Sequence, residues 1–415
     1  MNPTYRRNHP ISFISRSFCT SIILALLLTS CHSTVKKEAV EDENPIYIEL
    51  PAGNLSTSEK KVLATKCSDW YDSVLGRCNF SGGILVAKNG VPVFERYHGS
   101  VDAKNNIPIS PETSVHIASV SKTFTAMAVL KLMEQGKLQI DDSVSKYLPG
   151  FNYPGVTIKT LLNHRSGIPN YAYFMEDVGW DKADFISNHN ILQVLISQKD
   201  KIKNIGRPDT HFSYCNTNYA LLALVIEKAS GMGYAQFLKK EFFDPLNMQH
   251  TYVFELKDTA TATASYDWKG GEIKLDFLDL VYGDKNIYST VRDLFTWDRA
   301  LSSGKLFKPQ TLAMAYTPYS NEKPGVKNYG LGWRMNVYPT GKKMIFHNGW
   351  WHGNNAVFVR LLDEDATIIV LGNRFTRQIY KAHHLADIFE KYNADPEETD
   401  TSNPDQDNES QLGSQ

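Results

Sequence analysis

The 415-residue sequence lacks several features that would place it in common classes of protein. It contains no long basic block, and 44 Lys and Arg against 45 Asp and Glu leave a formal net charge of −1. This balance argues against nucleic acid as a partner. The H-E-x-x-H spacing and a glycine-rich nucleotide loop are also missing, so the sequence predicts no metal and no cofactor. Internal repeats are absent, and the 42% hydrophobic content is enough for a sizeable core.

Near the N-terminus, an apolar run, Cys19–Leu28, follows three arginines and is too short for an ordinary membrane span. It ends in Leu-Thr-Ser-Cys31, which resembles a bacterial lipoprotein signal whose cysteine is lipidated. An ordinary signal peptide, or a short uncleaved anchor, is the alternative. We expect residues 1–31 to be a signal peptide and Cys31 to anchor the exported protein to the cell envelope, at the outer membrane on its periplasmic or surface side.

Composition divides the rest of the chain into three parts. Residues 32–56 are charged and contain proline, which is typical of a flexible tether. Residues 393–415 are acidic, polar and poor in apolar side chains, which predicts a disordered tail. Residues 57–392 form the predicted folded domain. Whether Cys67 and Cys78 form a disulfide is left undecided, because Cys67 lies on a predicted helix and Cys78 just beyond its end, so their distance need not suit a bridge.

Apolar periodicity predicts an α+β fold. An Asn-Gly turn joins two predicted strands, 83–88 and 91–97, into a hairpin. Four more strands are predicted in the C-terminal third, at 330–337, 344–347, 355–362 and 366–371. Helices are predicted at 58–76, after Ser119, up to Gly167, and at 191–197, 216–230, 234–243, 290–301 and 376–392. We expect one antiparallel sheet that joins the first hairpin to the last strands, with a mostly helical region inserted between them.

The stretch Ser119-Val-Ser-Lys122 stands where a predicted helix begins. Residues three apart on a helix share a face, so the Ser119 hydroxyl and the Lys122 amine can meet. A desolvated lysine can take the proton of a serine and make it a nucleophile. The pattern is short, and a helix-capping serine followed by a solvated lysine is the alternative. Ser121 is a rival nucleophile, but it lies on a different face of the helix.

Two later clusters have matching chemistry. Tyr214 and Asn216 lie two apart in a predicted extended segment, so the phenol and the carboxamide can face one cavity. His347-Asn-Gly-Trp350 ends a predicted strand, where Gly349 allows close approach of a substrate and a strand-edge N–H can bind an oxyanion. Taken singly, Tyr214 and Asn216 can also be explained as a core tyrosine and a helix cap. The His347 cluster can also be explained as a β-turn.

In this order the three clusters resemble the motifs of the serine β-lactamase and penicillin-binding-protein superfamily. More narrowly, they resemble its branch of class C β-lactamases, D-alanyl-D-alanine carboxypeptidases and esterases. The resemblance extends from about Ser81 to Asn373. It includes four further segments: Ile117–Phe124, Leu161–Pro169, Tyr288–Leu294 and Tyr329–Trp333.

The resemblance implies roles for individual residues. Ser119 would be the nucleophile, Lys122 its activating partner and Tyr214 the general acid and base. The oxyanion would be bound by the N–H groups of Ser119 and Trp350. The substrate would be held by the following residues: Asn216, His347, Asn348, Gly349 and Trp350. The partner would be a small molecule or a peptide, such as a peptidoglycan stem peptide; the sequence indicates no oligomeric state.

One motif departs from the family pattern, because His347-Asn-Gly stands where β-lactamases carry Lys-Thr-Gly. A neutral histidine offers a substrate carboxylate less charge, which argues against efficient antibiotic hydrolysis. Trp350 and Trp351 either narrow the site or pack in the core. The middle segment with its aromatic residues is expected to shape the cleft. We therefore expect a carboxypeptidase or esterase acting through an acyl-enzyme, with a true β-lactamase as the alternative and a catalytically silent binding lipoprotein as the competitor.

Overall fold

The computed structural model describes residues 47–102 and 104–392. The predicted signal peptide with Cys31, most of the predicted tether and the predicted tail lie outside these described residues. Within them, no helix combines the length and the apolar composition needed to cross a membrane.

The helices of the described residues mostly begin where the sequence offers a capping side chain. Five of the nine α-helices start after a Ser, Thr or Asn whose side chain accepts a backbone N–H of the first turn. The α-helices are α1 Thr57–Val74, α2 Ser121–Glu134, α3 Ile158–Leu162, α4 Tyr171–Asp177, α5 Asn188–Ser197, α6 Asn216–Ser230, α7 Tyr234–Leu238, α8 Val291–Ser302 and α9 Pro309–Ala315. A π-helix spans Lys239–Phe243, and 3₁₀ helices span Ala118–Val120, Val144–Lys146, Lys199–Lys201, Leu256–Ala260 and Arg377–Ile388.

The strands are mostly short outside one large sheet. They are β1 Gly82–Lys88, β2 Val91–His98, β3 Ser100–Asp102, β4 Ile107–Pro108, β5 Val115–His116, β6 Tyr252–Val253, β7 Ser265–Tyr266, β8 Glu272–Ile273, β9 Ile287–Ser289, β10 Lys327–Tyr329, β11 Arg334–Val337, β12 Lys343–Trp351, β13 Asn354–Leu361 and β14 Ala366–Gly372.

The large sheet has seven strands in the order β10-β11-β12-β13-β14-β1-β2, and every pair is antiparallel. The first hairpin joins the C-terminal strands through β1 and β14, where Leu85 lies opposite Ile369. This confirms the predicted α+β fold, with a sheet that unites the two ends of the domain around a helical insertion.

Side chains alternate between the two faces of the sheet, so each face has its own hydrophobic core. One face, with Leu85 and Ile345, packs against the core of α2, α6 and α8. The opposite face, with Ile84 and Val86, packs against α1 and the 3₁₀ helix Arg377–Ile388. The site described below lies on the α2 side of the sheet.

Several predictions of local structure need correction. Residues 47–56 are not a free tether: Ile48 and Leu50 pack against the core, and the N–H of Ile48 donates to the carbonyl oxygen of Pro245 at 2.7 Å. The helix expected to end at Gly167 stops at Leu162. Helix α4 was not predicted, because its aromatic residues carry no clear period. The C-terminal helix is 3₁₀ rather than α.

The disulfide left open in the sequence does not form in the structure. Cys67 and Cys78 are both free thiols. Burial raises the pKa of the Cys67 thiol to about 12, so it stays protonated and packs as a small apolar side chain.

Candidate active site

Ser119 and Lys122 meet at the start of α2. Ser119 lies in the 3₁₀ turn that precedes this helix, and the Lys122 amine donates a hydrogen bond of 2.9 Å to its hydroxyl oxygen. The same amine donates to the main-chain carbonyl oxygen of Asp284, also at 2.9 Å. Lys122 is fully buried and Ser119 is 6% exposed. A desolvated amine held against a hydroxyl is the arrangement that activates a serine.

The turn that presents Ser119 is strained. Ala118 has φ of +47°, a conformation that costs energy for a residue with a β-carbon. Its N–H donates to Nδ1 of the buried His116 at 3.0 Å, which holds the turn in place. Sequence reasoning missed this turn, because alanine carries no turn signal.

Ser121, the rival nucleophile, is fully buried and accepts the N–H of Ile287 at 3.2 Å. Its hydroxyl therefore joins α2 to β9 and faces away from the cavity that Ser119 lines.

Tyr214 and Asn216 lie beside this pair, in the extended segment that leads into α6. The Lys122 amine is 4.9 Å from the centroid of the Tyr214 ring. Asn216 lines a cavity together with Ser119, and its carboxamide oxygen has no hydrogen-bond partner among the described residues. The structure thus brings together the alcohol, the amine, the phenol ring and the carboxamide that the sequence singled out.

His347 lies next to this group but does not line the cavity. It is fully buried on β12, with Nδ1 2.6 Å from the carbonyl oxygen of Asn348 and Nε2 3.3 Å from the Tyr329 hydroxyl. Burial first, and then the charges of Arg334 and Lys122, hold the pKa of His347 well below its ordinary value. The ring is neutral, so it cannot supply charge for a substrate carboxylate.

Gly349 brings β12 against the turn that carries Ser119. A β-carbon at this position would lie 2.5 Å from the carbonyl oxygen of Ile117 and 3.1 Å from the nitrogen of Ser119. The close approach predicted for Gly349 is present, but it is to the nucleophile's own backbone. Pairing of β12 with β11 ends at Phe346. Beyond this residue, the same edge of β12 faces the Ser119 turn and not another described strand.

Asn348 and Trp350 fall on the other face of β12, because neighbours of Gly349 on a strand point away from it. The Asn348 carboxamide oxygen accepts a hydrogen bond of 2.9 Å from His383. Its side chain therefore does not reach the site, contrary to prediction. The Trp350 ring packs on Phe375, with centroids 5.4 Å apart, although Trp350 still contributes to the cavity wall.

Arg334, at the start of β11, was not singled out from the sequence. Its guanidinium carbon lies 4.6 Å from the centroid of the Tyr214 ring. It also lines a separate groove with Phe212 and Tyr329. Arg334 directly follows the segment Tyr329–Trp333 that carried the family resemblance, and this position was the available signal. Arg334 therefore places a positive charge on the Tyr214 side of the site, whereas His347 is neutral.

The cavity at Ser119 has a volume of about 240 Å³. Tyr171 and Tyr173 of the aromatic middle segment line it, as predicted for this region. Asp284 and Lys285, both buried, also line it and were missed: the Tyr171 hydroxyl donates to the Asp284 carboxylate at 2.8 Å, and the Lys285 amine lies 3.4 Å from the same oxygen. The pair follows Gly283 in a loop with no periodicity, so no sequence pattern singled it out.

An antiparallel sheet between helical layers, with a buried serine–lysine pair at the start of a helix, defines the class of active-site serine hydrolases. Residues 74–389 match the Beta-lactamase family. The chain is 32% identical to penicillin-binding protein 4* of Bacillus subtilis (strain 168) over 321 residues, which are 73% of this chain and 70% of that protein.

Solved structures share the fold. A penicillin binding protein from Bacillus halodurans aligns with a TM-score of 0.66 and 24% identity over 79% of this chain and 98% of its own. A D-stereospecific amidohydrolase from Streptomyces sp. aligns with a TM-score of 0.61 and 21% identity over 77% of this chain and 97% of its own. The chain belongs to the β-lactamase and penicillin-binding-protein family of serine hydrolases, which confirms the resemblance found in the sequence.

Proposed function

We propose that this protein hydrolyses wall peptides ending in D-Ala-D-Ala, or small esters and amides, through an acyl-enzyme on Ser119. The observation that carries the proposal is the hydrogen bond of 2.9 Å between the buried Lys122 amine and the Ser119 hydroxyl. A binding protein without chemistry has no need of a desolvated lysine at its serine, because burying an amine costs several kcal/mol unless something is gained.

The acylation step follows from the positions of these groups. The Ser119 oxygen attacks the carbonyl carbon of the substrate while its proton passes to the Lys122 amine, which acts as a base in its unprotonated form. The oxyanion that forms is bound by the N–H groups of Ser119 and Trp350. Tyr214 then gives its proton to the leaving amine or alcohol and receives the serine proton from Lys122, and the carbonyl re-forms as the acyl-enzyme.

Deacylation repeats the exchange with water. Lys122, directly or through the Tyr214 hydroxyl, takes a proton from a water molecule that attacks the ester carbon, and this proton is returned to the Ser119 oxygen as it leaves. Asn216, whose carboxamide oxygen has no partner within residues 47–102 and 104–392, would hold the amide N–H of the acyl part.

The position of Arg334 favours substrates whose leaving group carries a carboxylate. The general acid must touch the leaving group, so that group lies on the Tyr214 side, where the Arg334 guanidinium is 4.6 Å from the ring. A guanidinium binds a carboxylate in a bidentate fashion. This favours a carboxypeptidase over an enzyme for neutral substrates, and we place β-lactamase activity second because His347 is neutral.

Covalent labelling tests the proposal. The domain without its N-terminal segment is incubated with a fluorophosphonate and with a labelled penicillin, and intact mass is measured. Wild type should gain one adduct, Ser119→Ala should gain none, and Ser121→Ala should still react, because Ser121 does not line the cavity. If neither probe gives an adduct that depends on Ser119, the protein is a silent binder.

Substrate choice is tested at Arg334. Wild type and Arg334→Gln are compared on a D-Ala-D-Ala peptide and on p-nitrophenyl acetate, which has no carboxylate in its leaving group. We expect kcat/KM for the peptide to fall at least 10-fold and that for the ester to change little. Equal losses on both substrates would show that Arg334 acts on Tyr214 and not on a carboxylate.

Location is a separate part of the proposal. We propose that the protein is exported and held on the envelope bilayer by a lipid on Cys31. The support is the sequence Leu28–Cys31 after a short apolar run. Cys31→Ala should abolish acyl labelling and release the protein from the membrane fraction. Retention in that fraction with no loss of an acyl group would show that the anchor is of another kind.

A further inference from the structure

A second cavity of about 450 Å³ adjoins the cavity at Ser119. Trp351, the last residue of β12, and His352, in the turn that follows, belong to the walls of both. The second cavity is lined on its far side by β7 and β8, and by the buried Tyr288. The two spaces are therefore neighbours with a shared partition.

The partition is fixed from both sides. In the wall of the second cavity, the Asp279 carboxylate accepts the indole N–H of Trp351 at 2.6 Å, and Nε2 of His352 lies 3.0 Å from its other oxygen. In the first cavity, the Lys285 amine lies 4.5 Å from the centroid of the Trp351 ring. Asp279 and Lys285 are both buried, so the indole is held between a cation and an anion.

In the proposed function, the cavity at Ser119 receives the acyl part of the substrate. The leaving group must lie beside the general acid, and Tyr214 contacts Arg334, which lines a different groove with Phe212. Asn216 and Trp351 line the cavity at Ser119. An acyl chain that extends past this cavity meets the indole of Trp351.

On this basis, and resting on the proposed function, we propose that Trp351 limits the enzyme to substrates with a compact acyl group. The second cavity is the space that a longer acyl chain would enter if the indole were removed. Trp351 is thus a specificity-determining residue for the acyl side, and the bond to Asp279 keeps it in place.

The test is a chain-length series of p-nitrophenyl esters, from acetate to octanoate, in which the leaving group is constant. Wild type should favour acetate over octanoate by at least 10-fold in kcat/KM. Trp351→Ala should raise the octanoate-to-acetate ratio at least 10-fold, and Trp351→Phe, which keeps a ring but loses the N–H to Asp279, should raise it less. Trp268→Ala is the matched control, because Trp268 is 63% exposed and is not among the residues lining either cavity.

Circular dichroism and fluorophosphonate labelling at Ser119 establish that each variant is folded. Should Trp351→Ala fail to fold, Trp351→Leu removes the indole while keeping apolar contact, and the same rise is expected. A folded variant without the indole that keeps the wild-type ratio overturns the inference and leaves the proposed function intact. Absence of any Ser119-dependent ester hydrolysis in wild type would overturn the ester part of the proposed function, and the inference with it.

Discussion

The main-chain carbonyl oxygen of Asp284 lies 2.9 Å from the amine of Lys122, the same distance as the Ser119 hydroxyl oxygen. The amine is therefore held by two acceptors: Ser119 is 3 positions away in the turn that precedes its own helix, and Asp284 is 162 positions away in a distant loop. Because the second acceptor is backbone, most side-chain changes at Asp284 leave it in place.

Replacing this amine should stop the chemistry without unfolding the protein. Lys122→Met keeps the length of the side chain and removes its base, so the rate of fluorophosphonate labelling should fall by about 10²–10⁴-fold. Near-UV circular dichroism should be unchanged, since methionine fills a buried site well. Lys131→Met, on the same helix but partly exposed, is the control and should label at the wild-type rate. A fast-labelling Lys122→Met would remove the lysine from the mechanism.

The Tyr214 hydroxyl has a separate role, which Tyr214→Phe isolates. The ring remains to pack against Lys122 and Arg334. Proton transfer to the leaving group is lost, so kcat should fall by about 10²–10⁴-fold with little change in KM. The measurement is steady-state kinetics on a peptide and on an ester whose leaving group needs no proton. The loss should be smaller for p-nitrophenolate, and equal losses would argue against the general-acid role.

The sequence predicted those parts of the molecule that depend on local signals. The Asn-Gly hairpin and helices α6 and α8 follow from turn chemistry and apolar period, and the structure has all three. The approach of Ser119 to Lys122 followed from helical spacing alone.

The features that were missed depend on long-range packing. Arg334 reaches Tyr214 only because the start of β11 lies beside the segment that leads into α6, and Lys285 becomes a cavity residue only because its loop folds over Tyr171. Asn348 was placed in the site by its motif, but strand alternation turns it to the other face. Neither the register of a strand nor the path of a loop can be read from neighbouring residues.

Gly349 should tolerate no side chain. In Gly349→Ala the new β-carbon would lie 2.5 Å from the carbonyl oxygen of Ile117, so either β12 or the Ser119 turn must move. We expect a loss of stability of about 1–3 kcal/mol from overpacking, together with slower labelling of Ser119. Thermal unfolding and labelling rate are the measurements. Gly233→Ala is the matched control, because no atom lies within 4 Å of a β-carbon there and its φ is ordinary. Equal behaviour of the two variants would contradict the close approach.

Buried neutral histidines should make the fold sensitive to acid, and His116 is the clearest case. Burial lowers the pKa of His116 to about 4 from an ordinary value of 6.5. Between these two values the unfolded chain binds a proton that the folded chain does not, so stability is lost as the pH falls from 6.5 towards 4. One such proton changes the free energy of unfolding by about 1.4 kcal/mol per pH unit.

His116→Gln removes this dependence while keeping both hydrogen-bonding roles of the ring, an acceptor for Ala118 and a donor to Asn286. Urea unfolding measured from pH 6.5 to pH 4 should give a slope of stability against pH that is smaller by about 1.4 kcal/mol per unit than in wild type. His98→Gln changes an exposed histidine and should leave the slope as it is. If the slopes of wild type and His116→Gln agree, His116 binds its proton equally in the folded and unfolded chain, and burial does not lower its pKa.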